Sequence, residues 1–252
     1  MSTVPPVIVD ADGIGKSFGR HTVLTNAGLA VRAGQITALM GRNGVGKSTL
    51  FRIVAGTVKA DYGTVRMNGE WMGNASLARR ARAGLMYSAQ ESALTSQFTL
   101  RSHFLAFTQV YGGTERLDGL WERLRLTELL DQRPVELSGG ERQRASLGLA
   151  ILRSPVCLLM DEPFAGVAPV DVPLIADALI ELKRGGVAIA ISGHDVLEIF
   201  GISDEIIWMV GGTTHWLGRP EEAETHFQFR REYLGPRVGL RGTGGNQARS
   251  PN

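Results

Sequence analysis

Gly41-Arg42-Asn43-Gly44-Val45-Gly46-Lys47-Ser48 has the composition and spacing with which a backbone wraps phosphate groups. Its glycines let the chain curl until successive N–H groups converge on phosphate oxygens, and a helix starting at Lys47 adds the positive end of its dipole. Lys47 supplies a point charge. Ser48 is suited to place its hydroxyl on the Mg²⁺ that bridges terminal phosphates, and Thr49 can assist the phosphate contacts. Lysine is otherwise confined to Lys16, Lys59 and Lys183, so its presence at this spacing is informative. The implied ligand is a nucleoside triphosphate; the alternative is a glycine-rich turn that binds nothing.

Two further segments fit the same chemistry. Val156-Cys157-Leu158-Leu159-Met160-Asp161-Glu162 reads as an apolar strand ending in two acids. At the C-terminal edge of a parallel sheet, beside the phosphate loop, the two carboxylates take different roles. Asp161 can hold Mg²⁺ through its water shell, whereas Glu162 can orient or deprotonate the water that attacks a γ-phosphate. In Leu137-Ser138-Gly139-Gly140-Glu141-Arg142-Gln143-Arg144, Ser138 and Glu141 have the S-x-x-E spacing of a capping box. The helix it starts opens at Gly139 and Gly140, whose N–H groups stay accessible to a γ-phosphate. Ser138 can equally cap a helix that meets no ligand.

These residues need a frame. Short β-rich runs occur at Ile8 to Val9, Thr22 to Leu24 and Gln35 to Met40, the last leading into the phosphate loop. Leu50, Ile53 and Val54 then recur at helical spacing after Lys47. Further strands are expected at Thr64 to Met67, Leu85 to Ser88, Val156 to Met160, Val187 to Ile191 and Ile206 to Val210, the last three separated by helix-like stretches. That alternation predicts a largely parallel sheet covered on both faces. From Leu100 to Ile151 apolar residues recur at helical spacing with no strong strand candidate, which predicts an inserted helical subdomain interrupting the α/β core.

Composition excludes other classes. The 252 residues, 43% hydrophobic with formal net charge +2, describe a globular chain without the dense basic block of a nucleic-acid binder, and no nucleic-acid partner is expected. Arg79, Arg80 and Arg82 form the one local cluster, read as a solvated helix face. The single Cys157 lies in an apolar run and reads as a small core residue. Apolar runs fall short of the roughly 20 residues a membrane helix needs, and the start shows no secretory signal, so a cytosolic location is expected unless a partner holds the chain at a membrane. From Val238 to Asn252, glycine, arginine, serine, asparagine and proline predict a disordered tail.

With a phosphate loop before it and a D-E strand after it, the LSGGE pentapeptide Leu137 to Glu141 resembles the signature of the ABC (ATP-binding cassette) ATPases, and the resemblance covers nearly the whole chain. It implies a P-loop NTPase (RecA-like) core with an antiparallel β subdomain and an inserted α-helical subdomain at about 91–152, in one ABC ATPase domain over 1–237. It also implies ATP and Mg²⁺ as ligands. Gly41, Arg42, Asn43, Gly44, Val45, Gly46, Lys47, Ser48 and Thr49 would hold the phosphates, and Ser138, Gly139, Gly140 and Glu141 would reach the nucleotide on the opposite subunit of a dimer. Phe18 resembles the aromatic that stacks on adenine, although core packing is its other reading. Gln90 resembles the Q-loop glutamine, catalytic and a ligand of the metal alongside Ser48 and Asp161. His194 resembles the switch histidine that, with Lys47 and Glu162, would complete the catalytic set. Implied partners are transmembrane permease subunits, a second identical or paralogous ATPase subunit, and a substrate-binding protein. The location would then be peripheral, on the cytoplasmic face of a membrane. A soluble ABC ATPase acting on ribosomes or nucleic acid is the alternative, against which stand the lack of a second cassette and of a heptad-rich arm.

One position departs from the family. After Glu162, the D-loop usually carries aspartate where this chain has Ala168, which implies either tuned communication between subunits or weakened hydrolysis. Asp171, on the following helix, is of uncertain reach. Phe164-Ala165-Gly166-Val167 and the closing Arg231-Glu232-Tyr233-Leu234-Gly235 resemble the ATPases of branched-chain amino-acid import and lipopolysaccharide transport.

Overall fold

The computed structural model describes residues 4–89 and 94–235. Ten strands form one sheet: β1 (Val7–Phe18), β2 (His21–Arg32), β3 (Ile36–Met40), β4 (Tyr62–Met67), β5 (Glu70–Trp71), β6 (Leu85–Ser88), β7 (Cys157–Met160), β8 (Ala188–Gly193), β9 (Glu205–Val210) and β10 (Thr213–Gly218). Their order across the sheet is β5-β4-β1-β2-β10-β9-β3-β8-β7-β6. β9, β3, β8, β7 and β6 run parallel to one another, β10 runs antiparallel to β9, and β5, β4, β1 and β2 are antiparallel. The two regions meet along a narrow seam. There β10 pairs with β2 at Thr213 and Asn26, and the Gly28 N–H donates to the Thr214 hydroxyl at 2.6 Å.

The parallel strands are apolar at successive positions because both faces are covered. Ile36, Ala38 and Met40 of β3 face one core with Leu158 and Met160 of β7, while Leu39 faces another with Cys157 and Leu159. The first core is closed by α3 (Leu100–Tyr111), α4 (Leu117–Arg123), α5 (Gly139–Arg153), α6 (Val172–Arg184) and α7 (Val196–Ile202). The second is closed by α1 (Lys47–Ala55) and by the antiparallel strands. Between α3 and α5 the chain makes only helical segments, α4 and short 3-10 turns, with no strand among the described residues.

Two expectations need correction. Arg80, on α2 (Leu77–Arg82), does not face solvent: it is 3% exposed. Its guanidinium donates to the carbonyls of Ile53 and Val54 at the end of α1 and to those of Met72, Gly73 and Ala75, so it ties off helix carbonyls that have no partner of their own. The strand expected at Val187 to Ile191 runs on through Ser192 and Gly193 as part of β8.

Candidate functional site

The phosphate loop follows Met40 at the end of β3 and leads into α1. Gly46, the residue capping α1, has φ 116° and offers no side chain to the first-turn N–H groups, and that turn carries no acid. By contrast α2, α3 and α5 are capped by the side chains of Ser76, Thr99 and Ser138. An uncapped helix start with no carboxylate nearby is suited to an anion. Gly41 is required by space: a Cβ there would stand 2.6 Å from the Met209 carbonyl oxygen.

Lys47 is 4% exposed. Its ammonium donates to the carbonyls of Gly41 at 2.7 Å and Arg42 at 3.3 Å, and lies 3.8 Å from Glu162 Oε1. Burial pushes its pKa down, and the carboxylates of Glu162 and Asp161 pull it back up. A cation already stripped of water and facing two acids is an efficient partner for phosphate oxygens.

Asp161 and Glu162 follow β7, whose parallel neighbour β8 ends at Gly193. Asp161 is buried, and its carboxylate accepts a short hydrogen bond from the Ser192 hydroxyl. The same hydroxyl accepts from the Glu162 N–H at 3.1 Å. Glu162 has φ 52°, the left-handed region, which turns its side chain back over the sheet edge toward Lys47. His194 Nδ1 is 3.9 Å from Glu162 Oε1, so Lys47, Glu162 and His194 converge on one point at the C-terminal edge of the sheet. That arrangement can hold a phosphate, orient a water and meet developing negative charge.

Phe18, the last residue of β1, is 50% exposed, and Lys16 Nζ stands 5.2 Å from its ring centroid. Asp61 fixes this corner by accepting from Lys16 Nζ at 2.8 Å and from the Ser17 N–H at 2.7 Å. These two donors hold the Asp61 carboxyl below its ordinary value. An exposed ring held on a fixed corner can stack on a base.

The capping box is present: Glu141 accepts from the Ser138 N–H at 2.7 Å, and the Glu141 N–H donates to Ser138 Oγ at 3.3 Å. The Ser138 N–H holds the Glu141 carboxyl below the usual range. The helix it starts reaches the acidic strand end, where Gln143 Nε2 donates to the Glu162 carbonyl at 3.4 Å. Ala168 is exposed, and its position supplies no carboxylate. Asp171 does not take its place, because it is committed to its own chain, 3.6 Å from Arg144 of α5 and 3.9 Å from Arg125.

Gln90 lies outside the described residues. Mg²⁺ would have to be held by Asp161 and Ser48 together with water and phosphate oxygens, since no cluster of three or more acids, histidines or cysteines occurs among the described residues. A buried carboxylate oriented by a hydroxyl donor fits that mode. Sequence reasoning passed over Ser192 and Asp61; the signal available for Ser192 was a polar residue at the end of an otherwise apolar strand.

Residues 24–165 match the family described as ABC transporter. A probable ABC transporter ATP-binding protein of Azorhizobium caulinodans is 34% identical over 89% of this chain and 82% of its own length. The lipopolysaccharide export system ATP-binding protein LptB of Haemophilus influenzae is 30% identical over 92% and 99%. Among solved structures, the ADP conformation of an ATP-binding cassette of an ABC transporter superposes with TM-score 0.74 at 27% identity, covering 87% of this chain and 94% of that one.

Proposed function

The chain belongs to the ABC transporter family as an ATP-binding, ATP-hydrolysing subunit, and on that premise we propose which of its residues do the work. Lys47 and the first-turn N–H groups of α1 hold the β- and γ-phosphates, and Phe18 stacks on adenine. Glu162 orients or deprotonates the attacking water, while His194 stabilises charge on the γ-phosphate. Asp161 and Ser48, with Gln90, hold Mg²⁺, which neutralises phosphate charge when bound. The single observation that carries this reading is the convergence of Lys47, Glu162 and His194 within 3.8 to 3.9 Å at the sheet edge.

Two chains close on two nucleotides, each offering the helix start at Ser138, Gly139, Gly140 and Glu141 to the partner's phosphates. That motion is passed to separate transmembrane subunits at the cytoplasmic face of a membrane. No helix among the described residues is long and apolar enough to cross one. The likeness to LptB supports a place among compact cassettes of the lipopolysaccharide-export kind, with cargo selected by the membrane partner.

Glu162→Gln is expected to leave ATP binding intact and to slow phosphate release by about 10²-fold or more, the range general base catalysis covers. Unchanged turnover would remove Glu162 from the reaction.

A further inference from the structure

The end of the described chain packs on the phosphate loop. Arg230–Leu234 forms a π-helical turn, and Arg42 Nη2 donates to the Glu232 carbonyl at 3.0 Å. Beside this contact lies a groove of about 380 Å³ lined by Arg42, Val45, Trp208, Met209 and Tyr233, among others. The Tyr233 ring is fixed from behind. It stacks on Phe229 with centroids 5.1 Å apart, and Phe229 in turn stacks on Phe200 of α7 at 6.4 Å and meets Trp208 of β9 edge-on at 5.6 Å.

At the end of that lever the Tyr233 hydroxyl is buried with no hydrogen-bond partner among the described residues. Burial pushes the phenol up to about 12, opposed in part by the Gly41 backbone. A phenylalanine would stack as well and leave no orphaned group, so the hydroxyl has a cost in this state. The neighbouring peptide has the complementary problem. Gly41 and Arg42 carbonyls accept from Lys47, the cation that phosphate would draw away, and Gly41 leaves no room for a side chain beside the Met209 carbonyl.

We propose that Tyr233 is a positioning residue for nucleotide binding, whose hydroxyl donates to the Gly41 carbonyl when Lys47 turns from it to the phosphates. The closing segment then holds the loaded loop and links it to α7, which begins two residues after His194. This rests on the assignment of Lys47 to phosphate. One hydroxyl thereby serves the state with nucleotide and is unsatisfied in the state without it.

The test is Tyr233→Phe in the full chain, read by equilibrium titration with MgATP and by thermal unfolding without nucleotide. The Kd for MgATP should rise about threefold to tenfold, the range one net hydrogen bond spans, while the nucleotide-free Tm stays level or rises. In a Lys47→Ala background the same change should lower the nucleotide-free Tm by about 2 °C or more, because the hydroxyl would then be serving the carbonyl that Lys47 vacated. An unchanged Kd, a nucleotide-free Tm that falls in the chain with Lys47 intact, or no fall in the Lys47→Ala background each overturns the exchange of donors. A parent chain that does not bind MgATP overturns the Lys47 assignment, and this proposal with it.

Discussion

Ser192 shows how much of a site can hang on a residue with no motif of its own. Its hydroxyl donates to Asp161 and accepts from the Glu162 N–H, so one oxygen orients both acids. Ser192→Ala should cost about 1–3 kcal/mol in urea unfolding, the penalty for a buried polar group left without its partner. It should also weaken Mg²⁺-dependent turnover by about 10-fold to 100-fold, as loss of a supporting shell does. Lys47, Asp161 and Glu162 were legible because each sits at a spacing set by local backbone geometry, a loop into a helix or a strand into an edge. Ser192 was not, because its partner lies 31 residues away and only the pairing of β7 with β8 brings them together. The left-handed backbone at Glu162 was equally hidden: a glutamate is an unusual residue there, and nothing in its neighbours announces the φ of 52°.

At the scale of elements, periodicity located the parallel strands well, since β3, β7, β8 and β9 are apolar on both faces and stand out as runs. β10 was missed, because His215 and Trp216 are exposed and only Leu217 is buried, leaving neither a run nor a clean alternation. β1 and β2 were read as fragments of strands that each extend over 12 residues. Their register shifts around Ala11, Ile14 and Lys16 break the period-two pattern a sequence reading depends on. Arg80 was misread for a related reason: a helix with three arginines looks solvated, but one of them reaches under it to cap α1. Replacing it by methionine should cost about 3 kcal/mol, since several buried carbonyls lose their donor together. The urea midpoint should fall with little change in slope, and Arg80→Lys should restore little, because an ammonium cannot cover carbonyls spread along a planar fork.

For the whole molecule, the proposed dimer makes a prediction no single chain can satisfy. Lys47→Ala removes the phosphate cation of one half-site, and Ser138→Arg blocks the signature offered to the other chain. Each variant alone leaves both composite sites defective. Mixed, they form a dimer in which one site carries both defects and the other carries neither, so phosphate release should return to about a quarter of the parental rate if chains pair at random in a two-fold dimer. No recovery on mixing would mean that the sites are not shared between chains. With Asp171 bound to Arg144 and Arg125 and no charge at Ala168, residues 164–170 would offer such an interface only backbone and apolar surface, the exposed Val170 included. The seam at Thr213 and Asn26 also bears on this assembly. Phe18 stands on the plate to one side of that score line and Lys47 on the other. A nucleotide grasped at its base by the first and at its phosphates by the second would splint the two plates together, and because ADP keeps both the base and the β-phosphate, it is the departure of ADP, not the cleavage itself, that would take the splint away.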